Sequence, residues 1–241
     1  MLSAVYEKLL LAQTGGELQK SINGYNATFS IDSSNEFLSL DSYRGEREVL
    51  QSFLNDIGPA DVVFDIGANV GFFSIFAATN YPSAIVVAFE PHSDNIDRIH
   101  RSANLEDVDV ITYETLLSDH TSFASFPVGS SVPGVSDLSM GSSTDHFVPT
   151  YRGEELIASH DLPSPTILKV DVEGAELDVL TGFGPVLEQV KVVYCEVHKE
   201  RIRQFGSDPM QVESHLQERS FRTSRLQEDE DVFHLRAEKL D

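Results

Sequence analysis

Basic residues are scarce in this chain: six lysines and eleven arginines stand against thirty-nine acids, for a formal net charge of −22 spread along 241 residues. A diffuse negative field of that size repels phosphate backbones and anionic lipid heads, so nucleic acids and membrane surfaces are not expected partners. At its plainest the charge is a solvated acidic surface. In a sharper form it suits a cytoplasm of molar salt, where the Debye length falls to ~3 Å and self-repulsion is tolerated. Cysteine is nearly absent. The single Cys195 lies in the apolar run Val192-Val193-Tyr194-Cys195, which excludes a disulfide framework and reads as a small buried hydrophobe. Long apolar runs are missing too: no stretch of eighteen occurs, and no basic segment followed by an apolar one opens the chain. Neither a membrane span nor a signal peptide is indicated, and a cytoplasmic location is expected.

The length fits one well-buried α/β domain with decorations and is short for two catalytic domains. Leu2, Val5, Tyr6, Leu9 and Leu10 recur at helical spacing, a stripe suited to packing on the core or on a partner. A homo-oligomer is left open. Tyr25–Ile31 and Glu36–Leu40 alternate around Asp32-Ser33-Ser34-Asn35, which predicts a hairpin over the ligand end, and a helix is expected from Gly45 to Ile57. Residues 1–58 thus form a helix, a hairpin and a helix against a core at 59–241. In the core, strands 61–66, 84–90, 108–112, 166–172 and 190–198 alternate with helices 70–79, 93–104, 175–181 and 209–220. Such alternation predicts a doubly wound, mostly parallel sheet with right-handed crossovers. Segments 221–226 and 232–236 close it as an antiparallel pair. The Ser/Gly/Pro-rich stretch from 116 to 150 is too long for a routine connection; it reads as an acceptor-binding insertion or a surface excursion, with a short strand at 122–128.

Two constellations carry chemistry. The first is Phe64-Asp65-Ile66-Gly67-Ala68-Asn69-Val70-Gly71-Phe72, where an apolar strand runs through a glycine loop into an apolar helix. Glycines allow a tight turn and close backbone approach, and a helix N-terminus offers unpaired N–H groups. A dinucleotide fingerprint requires Gly-x-Gly-x-x-Gly, but Ala68 and Asn69 stand in the loop, which counts against a pyrophosphate ligand. Adenosylmethionine has no phosphate, and Asp65 would lie near its ammonium. Glu90, at the tip of the next strand before Pro91, is placed to accept ribose hydroxyls. Asn95 and Asn104 read as solvated or capping residues.

The second constellation is Leu168-Lys169-Val170-Asp171-Val172-Glu173-Gly174-Ala175-Glu176 with Tyr194-Cys195-Glu196-Val197-His198. Alternation along a strand puts Lys169, Asp171 and Glu173 on one face of their strand and Glu196 and His198 on one face of theirs, so that four polar groups should converge. Asp171 and Glu173 would face the Gly67 loop across the crevice where strand order reverses. An internal ion-pair network is the competing reading. Together with Phe89-Glu90-Pro91-His92, these blocks in this order resemble the FkbM-type family of S-adenosylmethionine-dependent methyltransferases, over roughly residues 40–200.

The resemblance implies a class I, seven-stranded Rossmann-like methyltransferase sheet and O-methylation of a hydroxyl on a sugar, glycan or secondary metabolite. We assign adenosylmethionine contacts to Asp65, Gly67, Ala68, Asn69, Gly71, Phe72, Glu90, Pro91, Ser118 and Asp171. Catalysis is assigned to His198, Asp171, Glu173 and Glu196. An alcohol needs a base, here His198 or Asp171, and an ordinary histidine pKa near ~6.5 suits that task. Carboxylates with imidazole also suit Mg, Mn or Zn, but no metal is assigned. A non-catalytic nucleotide-binding sensor or subunit, and an NAD(P)-dependent oxidoreductase, are the alternatives.

Overall fold

The computed structural model describes residues 14–32, 47–127 and 145–240. The stripe at 2–10, the strand expected at 36–40 and the middle of the Ser/Gly/Pro-rich segment lie outside them.

The chain enters through a hairpin of β1 (Glu17–Ile22) and β2 (Tyr25–Ser30), paired antiparallel across Asn23-Gly24. Both turn residues have positive φ, 51° and 94°, the requirement that makes Asn-Gly a preferred two-residue hairpin loop. Tyr25–Ser30 thus pairs with the segment before it, in a hairpin that was not expected, while the strand expected beyond Asp32–Asn35 lies outside the described residues. Nor does the hairpin line the ligand cleft. It packs on helices, stacking Phe29 on Phe72 at 5.5 Å. The first described helix, α1 (Arg47–Asp56), buries Val49, Leu50, Phe53 and Leu54 at spacings of one, three and four.

The core follows the expected alternation: β3 (Val62–Ile66), α2 (Phe72–Asn80), β4 (Ile85–Phe89), α3 (Ser93–Glu106) and β5 (Ile111–Tyr113), then β9 (Ile167–Val170), α5 (Glu176–Gly182), β10 (Val192–His198), a short α6 (Arg201–Gln204) and α7 (Pro209–Gln217). Between these halves lie β6 (Leu116–Ser118), β7 (Ser122–Pro127), β8 (Asp145–Arg152) and α4 (Gly153–Ser159); β11 (Phe221–Glu228) and β12 (Val232–Lys239) end the chain. Seven strands form one sheet in the order β11-β12-β10-β9-β3-β4-β5, parallel except where β12 meets β10 and β11.

Every residue of β3 and β9 is buried, as expected of strands covered on both faces. One core cluster, with Phe53, Phe72, Phe73, Phe76 and Tyr194, lies under α1, α2 and the hairpin. The other, with Phe64, Phe89, Phe183 and Leu216, lies under α4, α5 and α7. Tyr194 ties the first layer down: its hydroxyl lies 2.5 Å from Asp56 Oδ2 and 2.8 Å from Ser52 Oγ. Arg236 Nε donates to the same Asp56 oxygen at 2.8 Å. Cys195 is buried, as its apolar run implies.

A second sheet, in the order β6-β8-β7, was not expected beyond its strand at 122–127. It adjoins the open ends of the parallel strands through Leu116 and Leu117. No helix among the described residues is long and apolar enough to cross a membrane.

Candidate active site

The strand order reverses between β3 and β9: β4 and β5 lie on one side of β3, while β10 and the closing pair lie beyond β9. Chains leaving the two central strands diverge there and leave a crevice at their carboxyl ends. It is a cleft with about 550 Å³ of empty space, partly open to solvent, lined by Ile66, Gly67, Phe89, Glu90, Pro91, His92, Asn95, Thr115–Leu117 and Asp171–Glu173.

Gly67 and Asn69 hold the loop after β3 in left-handed conformations, φ 80° and 52°. A Cβ on Gly67 would stand 1.8 Å from the carbonyl oxygen of Asp171. The glycine is therefore required by the loop after β9, which crosses it, as well as by any ligand. Gly67 and Ala68 N–H both donate to the Phe89 carbonyl, at 2.9 and 3.1 Å, fixing the loop to the end of β4.

Glu90 is 4 % exposed. Its Oε1 accepts from the His92 N–H and from Asn95 Nδ2, both at 3.0 Å, and its Oε2 accepts from the Asn69 N–H at 2.9 Å. Burial raises its pKa to about 7 in spite of these donors. Asn95, expected to be solvated, is buried and shapes this carboxylate; its place one turn into the helix after Glu90 is the signal that could have revealed it.

Not every assigned residue reaches the cleft. Asp65 is buried behind the loop, where its Oδ2 accepts from Ser74 Oγ at 2.6 Å. Burial raises its pKa, against the opposing bond from Ser74. Phe72 is a core residue between Phe29, Phe73 and Phe76. Gly71 precedes α2 against Ile99. Ser118 is buried at the end of β6, with its carbonyl pressed on Gly182. Of the assigned cofactor contacts, Gly67, Glu90, Pro91 and Asp171 line the cleft.

The acids converge at the far side. Strand β9 ends at Val170, so the shared face ends there too: Asp171 leaves the sheet, and Glu173 takes φ 57° in the turn before α5. Lys169, 1 % exposed, sits 4.7 Å from the Phe73 ring centre and places Nζ 3.4 Å from Asp171 Oδ2. Burial alone would raise the Asp171 pKa, but the charges of Lys169 and His198 hold it below its ordinary value. Glu173 pairs with Arg201 of α6. Glu196 stands between two histidines, 3.8 Å from His198 Nε2 and 3.8 Å from His234 Nδ1. The internal ion-pair reading is thus realised in part, by the same residues that border the cleft.

His198 itself is 9 % exposed, with Nδ1 2.7 Å from Glu176 Oε1 and Nε2 3.0 Å from Glu173 Oε2. Burial opposes its charge, but the Glu176 hydrogen bond and the charges of Asp171, Glu173 and Glu176 raise its pKa to about 9. The ordinary pKa on which a base role was expected does not apply here. His234, across β12, goes the other way: burial and the charge of Lys169 lower its pKa to about 4. Ligand-type atoms of Asp171, Glu196 and His198 lie within 4.8 Å of one another. Both imidazole nitrogens already face carboxylates, however, and we do not read the trio as a metal centre.

Comparison with known proteins identifies the family. A family model described as the methyltransferase FkbM domain matches residues 65–223. The hexuronic acid methyltransferase AglP of Haloferax volcanii is 34% identical over 214 residues, covering 87% of this chain and 84% of the relative. The 31-O-demethyl-FK506 methyltransferase FkbM of Streptomyces tacrolimicus is 27% identical over 175 residues, 59% of this chain and 67% of that protein. Among solved structures, an rRNA methylase from Streptococcus thermophilus shares the fold at a TM-score of 0.52 and 11% identity, covering 82% of this chain and 98% of that one. The chain belongs to the FkbM family of methyltransferases, and S-adenosylmethionine is its cofactor.

Proposed function

We propose that the enzyme O-methylates a sugar hydroxyl, with the hexuronic acid class of its Haloferax relative as the first acceptor to test. The observation that carries this reading is that Glu90 and Asp171, each just past the end of a strand flanking β3, open onto one cleft. A buried carboxylate with three of its lone pairs engaged keeps one acceptor position, on Oε2, for a ribose hydroxyl, and the apolar Phe89, Leu116, Leu117 and Val172 suit a flat heterocycle. These features fit the cofactor's ribose and adenine. When bound, adenosylmethionine supplies an electrophilic sulfonium methyl and departs as a neutral thioether.

The remaining work falls to the chain. Asp171 takes the acceptor proton at Oδ1 or Oδ2. A carboxylate held below its ordinary pKa is a weak base, yet it suffices, because a hydroxyl oxygen that is gaining a methyl group becomes strongly acidic. Glu173, fixed by Arg201 and His198, and Glu196 orient the hydroxyl. Lys169 keeps Asp171 ionised.

The test is calorimetric titration of S-adenosylhomocysteine into the protein at high KCl, beside Glu90→Ala and Asp65→Ala variants and an NADH control, followed by radiolabelled methyl transfer to glucuronic acid. Binding that fails in Glu90→Ala, with methyl transfer by the parent, supports the reading. Binding of NADH in place of S-adenosylhomocysteine overturns it.

A further inference from the structure

His198 meets carboxylates at both nitrogens, and a carboxylate can only accept. A neutral imidazole carries one N–H, so one of these two contacts would set lone pair against lone pair. With both acids ionised, only the doubly protonated ring satisfies both. We infer that His198 is a standing imidazolium, locked in place by Glu176, and that it is a positioning residue for the acceptor-side carboxylates and not the base of the reaction. This rests on the reading that those carboxylates border the acceptor site.

Glu176 is built for the role. It is fully buried, at the first position of α5, and its Oε1 accepts both from the Gly174 N–H at 2.9 Å and from His198 Nδ1 at 2.7 Å. Its Oε2 is buried with no hydrogen-bond partner. Among the described residues His198 is the basic side chain that meets this carboxylate, and leaving such a charge unbalanced is costly.

The other groups facing the imidazole agree in sign. Asp171 after β9, Glu173 before α5 and Glu196 on β10 are anionic neighbours, and Lys169 on β9 and Arg201 on α6 offset part of that charge. His234 on β12 adds no positive charge at neutral pH. Taking Asp171, Glu173, Glu176 and Glu196 against Lys169 and Arg201, the cluster carries two excess negative charges without the proton on His198 and one with it. The imidazolium Nε2–H then donates to Glu173, which Arg201 holds from the other side.

The isosteric variant Glu176→Gln tests this without dismantling the fold. Its amide oxygen retains both hydrogen bonds of Oε1, and its NH2 takes the place of the unpartnered Oε2. In the full chain at high KCl, with selectively 15N-labelled histidine, the His198 nitrogens are followed by NMR from pH 6 to 10. Two protonated nitrogens at pH 7.5, titrating near 9 and moving down by more than one pH unit in Glu176→Gln, is the expected result. A neutral His198 at pH 7.5, or an unmoved titration in the variant, overturns the inference.

A parallel pH profile of methyl transfer to glucuronic acid carries the kinetic consequence. A base role requires activity to rise as His198 deprotonates. A positioning imidazolium requires kcat to fall above about pH 9, and the falling limb to move to lower pH in Glu176→Gln while S-adenosylhomocysteine affinity stays unchanged. Should glucuronic acid accept no methyl group, the acceptor reading fails, and the NMR titration still decides the state of His198.

Discussion

Glu90 holds a charge where the fold would be more stable without one, and replacing it with glutamine should separate stability from function. Its folded pKa is about 7 against an ordinary 4.5, the rise being caused by burial. A carboxyl group whose folded pKa is raised binds its proton more tightly when folded. The cost is therefore absent below pH 4.5, grows between 4.5 and 7 and is complete above 7. At 1.36 kcal/mol per pH unit the full cost is about 3 kcal/mol. Glu90→Gln removes this titration but turns one oxygen into an amide NH2 facing a donor from Asn69 or from His92 and Asn95, a loss of about 1–2 kcal/mol that does not depend on pH. The variant should thus be less stable than the parent near pH 5 and more stable by roughly 1–2 kcal/mol at pH 8. For a domain of this size the difference in melting temperature should swing by about 6–12 °C across that interval. Scanning fluorimetry of both proteins without ligand, at constant high KCl, measures it. S-adenosylhomocysteine should meanwhile bind about 10–100-fold more weakly to the variant, because a hydrogen bond to a charged acceptor is worth about 1.5–3 kcal/mol. A melting difference that is flat with pH would refute the buried-charge argument, and unchanged affinity would refute the ribose assignment.

Other expectations are more compact. Asp171→Asn should lower kcat by about 10²–10⁴-fold while S-adenosylhomocysteine affinity changes little; a rise in KM alone would move the base elsewhere. Gly67→Ala must push the loops after β3 and β9 apart, since its new methyl meets the Asp171 carbonyl at 1.8 Å, and should abolish cofactor binding even in preparations that remain folded by circular dichroism. Tyr194→Phe removes the hydroxyl from Asp56 and Ser52 and should cost about 1–2 kcal/mol in chemical denaturation without altering turnover, because that network lies on the α1 side of the sheet. Methyl transfer should survive dialysis against EDTA, since His198 offers no free nitrogen, and a loss restored by Mg or Mn would contradict that. The net charge of −22 should make the melting temperature climb between 0.1 and 2 M KCl, and an insensitive protein would show that the acidic surface carries no salt adaptation.

The central sheet was legible because its strands are short apolar runs separated by helical periodicity, so β3, β4, β9 and β10 fall within a residue or two of their expected places. Strand β1 went unread because half of its residues are exposed, with Lys20 interrupting the apolar positions Leu18 and Ile22. The Asn23-Gly24 turn was the clearer signal and was overlooked. Strand β8 escaped notice because Pro149 stands in it, a residue that normally argues against a strand between two neighbours. At the site, residue types and approximate convergence could be read, as Asp171, Glu173, Glu196 and His198 show. The charge of His198 could not. It depends on Glu176 reaching back from the start of α5 across twenty-two positions, a contact that neither strand alternation nor local spacing reveals.

The crossing of Gly67 beneath the Asp171 carbonyl couples two loops that chemistry would otherwise treat separately. One carries the proposed donor side of the reaction and the other the carboxylate proposed as proton acceptor, and with no side chain between them they move as a single part. The distance from methyl donor to base is then a property of the sheet's centre, indifferent to what enters the cleft. Divergence toward new acceptors is left to the walls that do not share this joint, chiefly β6 and its neighbours, where substitutions can alter which hydroxyl is presented without detuning the reaction itself.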